Sequence, residues 1–180
     1  GSKDLSAKVA FRWSEEGLYF AAEVKDDRVF QDPKAGNAAL YVSDGIQIYF
    51  DLGNNPRDGA RAYDSDDVNY SIGLSTTGRP MAYLEKGTET RFVGENNAAT
   101  GVDGDVKVAW LKTADGYIVE TFFPAFTLPI LSFKAGSRLG VSLIINDNDG
   151  SGRKQGLTMG PKGTEPFSDP WIWRSAKLGE

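Results

Sequence analysis

The chain has 180 residues, 12% of them aromatic, with 21 glycines, no cysteine, no histidine and a net charge of −5. That length suits one domain with a real core, and the aromatic, glycine-rich composition points to β-structure with many turns. Absent cysteine and histidine exclude disulfides, thiolate catalysis, a Ser-His-Asp triad and most zinc or copper chemistry, while the acidic balance makes a nucleic-acid partner unexpected.

Taken in order, Gly1-Ser2 reads as a cloning remnant, so nothing follows about a leader or a neighbouring domain. "AKVAFRW" (7–13) places Val9, Phe11 and Trp13 on one face, and "LYFAAEV" (18–24) turns Leu18, Phe20, Ala22 and Val24 inward. The turn "SEEG" between them makes a hairpin. In "GIQIYFD" (45–51), Ile46, Ile48 and Phe50 alternate with Gln47, Tyr49 and Asp51, the pattern of a half-buried strand. "VNYSIGL" (68–74) and "MAYLEK" (81–86) follow across the turn "STTGRP". "VKVAWLK" (106–112) and "YIVETFF" (117–123) flank "TADG". "PAFTLPILSF" has room for a single helical turn. "RLGVSLIIND" (138–147) aligns Leu139, Val141, Leu143 and Ile145, and Ile144 predicts cover on its other face.

Eight short strands separated by turn signals predict an all-β fold, an antiparallel two-sheet β-sandwich, immunoglobulin-like or jelly-roll-like, as one domain over residues 1–180. No run approaches the about 18 apolar residues of a membrane-spanning helix, so no membrane partner is expected.

The order of these motifs resembles family 9 carbohydrate-binding modules. "AKVAFRWSEEGLYFAAEVKDD" is similar to that family's opening hairpin. "YVSDGIQIYFDLGNN" followed by "YDSDDVNYSIG" resembles its next motif, and "DGYIVETFFP", "GVSLIINDND" and "WIWRSAKLG" resemble the later ones. The resemblance implies a non-catalytic glycan-binding sandwich attached to a secreted bacterial enzyme that degrades polysaccharide. It also implies two aromatic clamps on the sugar and calcium ions that brace the loops. The first clamp falls at Tyr41, ahead of Asp44, where the family has Trp. The second falls at Trp171 or Trp173, and Gln47 takes the place of a polar residue that bonds the sugar. Where the family has Arg and Asn on the strand after the acidic loop, this chain has Ser71 and Gly73.

The residues themselves carry part of this reading. A pyranose offers an apolar C–H face and a hydroxyl rim, so an exposed ring beside planar polar groups suits it. Tyr41, Trp171 and Trp173 lie in Gly-, Pro- or Ser-rich surroundings, whereas Trp13 and Trp110 alternate as core residues do. The competing assignment is that the first three cap the core. Glycan choice rests with loops 31–43 and 160–173.

Asp51, Asp64, Asp66 and Asp67 bracket one loop and offer oxygen ligands for calcium; "NDNDGSG", with Asp147, Asp149 and Ser151, offers a second loop. Turn formation accounts for the same residues without an ion, and Asp26 and Asp27 read as a strand end. Glu23 and Glu120 read as partly buried acids, but nothing pairs them across a cleft as glycoside hydrolysis requires. The alternatives are an interaction domain without a sugar site, or a haem domain with Met81, Met159 and a Lys as its axial-ligand candidates, for which the usual ligand set is missing.

Overall fold

Alternation along the chain becomes eleven strands in the computed structural model, which describes residues 4–56, 61–161 and 164–180. Gly1 and Ser2 lie outside the described residues. The strands are β1 (Leu5–Ser14), β2 (Gly17–Asp26), β3 (Gly45–Asp51), β4 (Asp67–Leu74), β5 (Pro80–Lys86) and β6 (Gly101–Val102). They continue with β7 (Lys107–Thr113), β8 (Gly116–Pro124), β9 (Arg138–Asp147), β10 (Lys154–Thr158) and β11 (Arg174–Lys177). All eight expected strands form, and the single turn of 3-10 helix at Ala125–Thr127 falls within the expected helical segment. The three unexpected strands, β6, β10 and β11, are too short for two-residue alternation to mark them.

The strands make two antiparallel sheets. One has the order β1-β2-β8-β7; the other runs β10-β9-β3-β4-β5-β6, with β11 pairing β9 beside β10. The tight hairpins of the smaller sheet need glycine where β2 and β8 begin. Gly17 and Gly116 adopt φ of +151° and +145°, and a Cβ would stand 2.1 Å and 2.0 Å from the carbonyl oxygens of Phe123 and Val24.

The core lies between the sheets. Leu18, Phe20, Ala22 and Val24 of β2 face Ile46, Ile48 and Phe50 of β3 and the expected apolar face of β9. Phe123 meets Phe50 edge-on at 5.4 Å and Tyr70 at 5.2 Å. Trp13 and Trp110 pack against this core as expected, and so does Met159, with Met81 buried in the larger sheet. Val9 and Phe11 remain exposed, because β1 is an edge strand.

β3 departs from the half-buried expectation, since all seven of its residues are buried. The outer face of the larger sheet is itself covered. The segment that precedes β11 lays Ile172 and Trp173 over Tyr49 and Ile144, with Tyr63 at the margin. Tyr49 therefore sits beneath a second, smaller apolar layer, while Gln47 and Asp51, on the same face, line pockets on either side of it.

Candidate functional site

Asp44 fixes the loop that carries Tyr41. Its side chain is fully buried and accepts hydrogen bonds from the backbone N–H groups of Phe30 and of Asn148, the latter at 2.8 Å. Asn148 in turn donates its side-chain amide to the Val42 carbonyl at 2.6 Å. Burial pushes the Asp44 carboxyl up to about 7, against the two N–H bonds that pull it down. This clasp seats the 3-10 turn Asn37–Val42, from which Tyr41 projects 38% exposed.

Tyr41 opens onto a cavity of about 310 Å³, lined also by Gln47, Asn69, Glu85, Arg153 and Phe167. Gln47, Asn69 and Glu85 come from β3, β4 and β5 and form a polar floor. The Ser71 hydroxyl donates to Glu85 at 2.7 Å and so orients that carboxylate. Burial raises the Glu85 carboxyl above its ordinary range. Arg153 donates from Nε to Asn146 at 3.0 Å, which steadies its guanidinium at the cavity wall.

Phe167 is the second exposed ring of this cavity, at 47%. A tight turn presents it: the Ser168 and Asp169 N–H groups both donate to the Glu165 carbonyl at 2.9 Å, and the Asp169 carboxylate accepts from the Glu165 N–H at 3.1 Å. Tryptophans are the rings that the sequence points to near the C-terminus, yet the Pro- and Ser-rich setting of "EPFSDP" marks Phe167 as a ring in an irregular loop as well.

The structure brings Tyr41 and Gln47 into one site but neither tryptophan with them. Trp173 is 4% exposed, its ring tilted against Tyr49 and Tyr63 with centroids 5.5 Å away in each case. Its indole N–H donates to the Pro166 carbonyl at 2.9 Å. With its ring packed against two tyrosines and its N–H engaged, Trp173 sits as a buried anchor, where the resemblance led to the expectation of an exposed clamp. Trp171 is 38% exposed but lines a different pocket of about 190 Å³, with Asp51, Asn55, Arg61, Tyr63, Asp64 and Asp67.

Three acids of the first loop, Asp51, Asp64 and Asp67, line that pocket together, and each carboxylate of the loop is engaged by local groups. Asp51 accepts from the Asn55 N–H at 2.9 Å, Asp66 from the Gly53 N–H at 2.7 Å, and Asp67 from the Asp64 N–H at 2.8 Å. The Lys86 ammonium donates to the carbonyls of Asp64 and Asp67 from within the loop. These acids shape turns around a resident cation. Among the described residues, no three of Asp51, Asp64, Asp66 and Asp67 bring carboxylate oxygens within 4.8 Å of one another.

The second loop does converge. Asp147 and Asp149 meet Asp26, the last residue of β2, with carboxylate oxygens of all three within 4.8 Å. Asp4, Asp27 and Asp149 make an adjoining group of the same kind. One oxygen each of Asp26 and Asp149 is buried without a hydrogen-bond partner. Burial raises the Asp26 and Asp147 carboxyls, and the neighbouring acids add to it. Lys154 stands over the group, paired with Asp149, 3.5 Å from Asp4 and 3.9 Å from Asp147. Crowded carboxylates with unpartnered oxygens are a donor set for a hard cation. Ser151, expected in this loop, is exposed.

Glu23 and Glu120, expected to be partly buried, are exposed on the outer face of the smaller sheet.

Comparison with known proteins bears on this arrangement. A family profile described as carbohydrate family 9 binding domain-like matches residues 1–180. Endo-1,4-beta-xylanase C of Paenibacillus barcinonensis is 29% identical over 171 residues, covering 94% of this chain and 13% of that protein. Exoglucanase XynX of Acetivibrio thermocellus is 26% identical over 157 residues, covering 87% of this chain and 12% of that protein. The chain thus spans about an eighth of the length of these relatives. Among solved structures, a carbohydrate binding module of family 9 from Caldicellulosiruptor kristjanssonii in complex with cellotriose superposes with a TM-score of 0.68. It is 22% identical, and the match covers 97% of this chain and 75% of that one. The same module in complex with glucose gives 0.69 at 23% identity, covering 98% and 78%.

Proposed function

Because the chain belongs to the carbohydrate family 9 binding domain-like family, we propose that it is a non-catalytic module that binds glycan between Tyr41 and Phe167. The observation that carries this reading is the cavity of about 310 Å³ with an exposed ring from each of two loops and a floor of planar polar side chains. The rings pack on the C–H faces of a pyranose, while Gln47, Asn69, Glu85 and Arg153 meet its hydroxyl rim. Glu85 is the one carboxylate among the described residues that line the cavity, whereas glycoside hydrolysis takes a pair.

The module tethers a larger secreted bacterial enzyme to polysaccharide. The small share of each relative that it matches supports this. Linkage raises the local concentration of substrate around a catalytic domain without any new contact to it.

Calcium is the proposed brace, held by Asp26, Asp147 and Asp149 rather than by the loop of Asp51, Asp64, Asp66 and Asp67. The unpartnered oxygens of Asp26 and Asp149 support that assignment. The ion would neutralise the acids that join the end of β2 to the end of β9, next to the Asp44–Asn148 clasp that seats Tyr41.

Titration calorimetry with glucose, cellotriose and xylo-oligosaccharides, preceded by a glycan array, tests the reading. Tyr41→Ala and Phe167→Ala should each weaken binding more than tenfold. Silence across the array would instead favour an interaction domain without a sugar site, a reading supported by Ser71 and Gly73 standing where the family has polar ligands.

A further inference from the structure

We propose that the outer face of the smaller sheet is a second glycan site, one that takes the interior of a carboxylate-bearing polysaccharide chain. The proposal rests on the preceding reading only for the class of ligand. The register places outward-facing side chains in rows across the four strands. Arg12, Tyr19, Phe122 and Lys107 form one row; Ala10, Ala21, Glu120 and Ala109 form the next; Lys8, Glu23, Ile118 and Leu111 form the third.

The middle row is a furrow. Three of its four side chains are alanine, and it lies about 7 Å from the row on either side. A trough of 430 Å³ follows it, with the first row as one wall. Tyr19 and Phe122 stack in that wall with centroids 4.6 Å apart, forming a continuous aromatic platform, and Tyr19 is exposed. Arg12 and Lys107 stand at the two ends of the platform, and Glu120 rises from the floor. The Arg12 and Glu120 side chains have no hydrogen bond or ion pair among the described residues.

Three features select the occupant. A stacked aromatic wall beside hydrogen-bonding side chains matches a pyranose, which is apolar on its faces and polar at its rim. In a chain of net charge −5, this face gathers three cations, Lys8, Arg12 and Lys107, against two acids. Guanidinium and ammonium at both ends of the platform complement carboxylates on the ligand. The same charges argue against a docked protein, because the cores of protein interfaces are depleted of charge. Finally, the trough crosses the strands and runs out over the edge strands β1 and β7. A chain can enter and leave, so the site needs no chain end.

Affinity electrophoresis of the full chain in gels containing glucuronate-substituted xylan tests this, with the same xylan after carboxyl reduction as the second arm. The double variant Tyr41→Ala, Phe167→Ala should still be retarded. Adding Ala109→Leu, which fills the furrow, or Arg12→Glu should cut that retardation at least tenfold. Both sites are exposed, so folding is preserved and circular dichroism checks it. Carboxyl reduction should weaken retardation several-fold. Ala109→Leu alone should leave cellotriose titrations unchanged. Loss of all polymer binding in the Tyr41/Phe167 variant overturns the proposal and leaves the loop pocket standing. Wild-type chain that ignores cellotriose yet shows Ala109-sensitive retardation overturns the pocket and leaves this site standing. Equal retardation by the carboxyl-reduced polymer, or a dimer in ultracentrifugation that Tyr19→Ala dissociates, also overturns it.

Discussion

The indole N–H of Trp173 donates to the carbonyl of Pro166, the residue immediately before Phe167. A buried ring therefore holds an exposed one in place. Trp173 packs against Tyr49 and Tyr63 on the covered face of the larger sheet, and its single polar atom ties down the turn that presents Phe167. This separates the two roles that the sequence assigns to one aromatic near the C-terminus.

The separation is measurable. Trp173→Ala should destabilise the fold by about 3–5 kcal/mol, as for other large buried rings, and weaken glycan affinity through the loosened turn. Trp173→Phe keeps the packing but leaves the Pro166 carbonyl unpaired, so a loss of about 1 kcal/mol is expected. Phe167→Ala should leave thermal stability nearly unchanged while removing more than tenfold of the affinity. Calorimetric melting paired with glycan titration checks all three. A Phe167→Ala variant that melts early but binds normally would reverse the assignment.

The metal assignment predicts a pattern across variants. A cation bound only by the folded chain raises the melting temperature by mass action. EDTA should lower it for the wild type, and calcium should restore it. Asp26→Asn and Asp149→Asn should abolish that response; Asp64→Asn and Asp66→Asn should keep it. Lys154→Met should tighten calcium binding, because it removes the ammonium that now lies against Asp149 and near Asp147. A response lost in the Asp64 and Asp66 variants would return the ion to the first loop.

The fold is legible in the sequence where alternation runs long enough to be counted. β2, β3, β8 and β9 each carry at least three core residues spaced by two, and each forms as expected. β10 and β11 lack that signal, because they complete the sheet by backbone pairing to β9 rather than by burying a face of their own. The proposed glycan contacts Tyr41 and Gln47 are suggested by the resemblance. Phe167 is not, because the exposure of a ring in an irregular loop depends on where Trp173 anchors that loop. The proposed ion site is hidden for a related reason. Closeness in sequence favours Asp64, Asp66 and Asp67, while the cluster that forms joins Asp26 to Asp147 and Asp149 across the pairing of distant strands.

Buried acids also set a pH dependence. Asp44 and Asp67 have an ordinary carboxyl value of 3.8, and burial raises each to about 7 in the folded chain. Between those limits the folded state binds more protons than the unfolded one, so their contribution to stability falls as pH rises. Metal-free protein should therefore melt lower at pH 7 than at pH 5. Asp67→Asn should flatten the slope. Calcium should oppose it, because ligand carboxylates must be ionised to bind and the ion's contribution grows with pH. A metal-free melting temperature that climbs from pH 5 to pH 7 would sink this account.

Thr121 sets a final test, in the core. It lies on β8, pairs with Phe20 on β2 and Val108 on β7, and is 3% exposed. Its hydroxyl is buried with no hydrogen-bond partner. An unpaired buried hydroxyl costs about 1–3 kcal/mol relative to a paired one. Thr121→Val exchanges it for a methyl group of similar size and keeps the β-branched shape that suits a strand. The variant should gain about 1 kcal/mol, which in a chain of this length raises the melting temperature by about 2–4 °C. Glycan and calcium binding should not change, because the residue faces the core between the sheets. Urea unfolding with an unchanged m-value would confirm that the gain arises in the folded state. A lower melting temperature would mean that the hydroxyl is satisfied in solution by an ordered water.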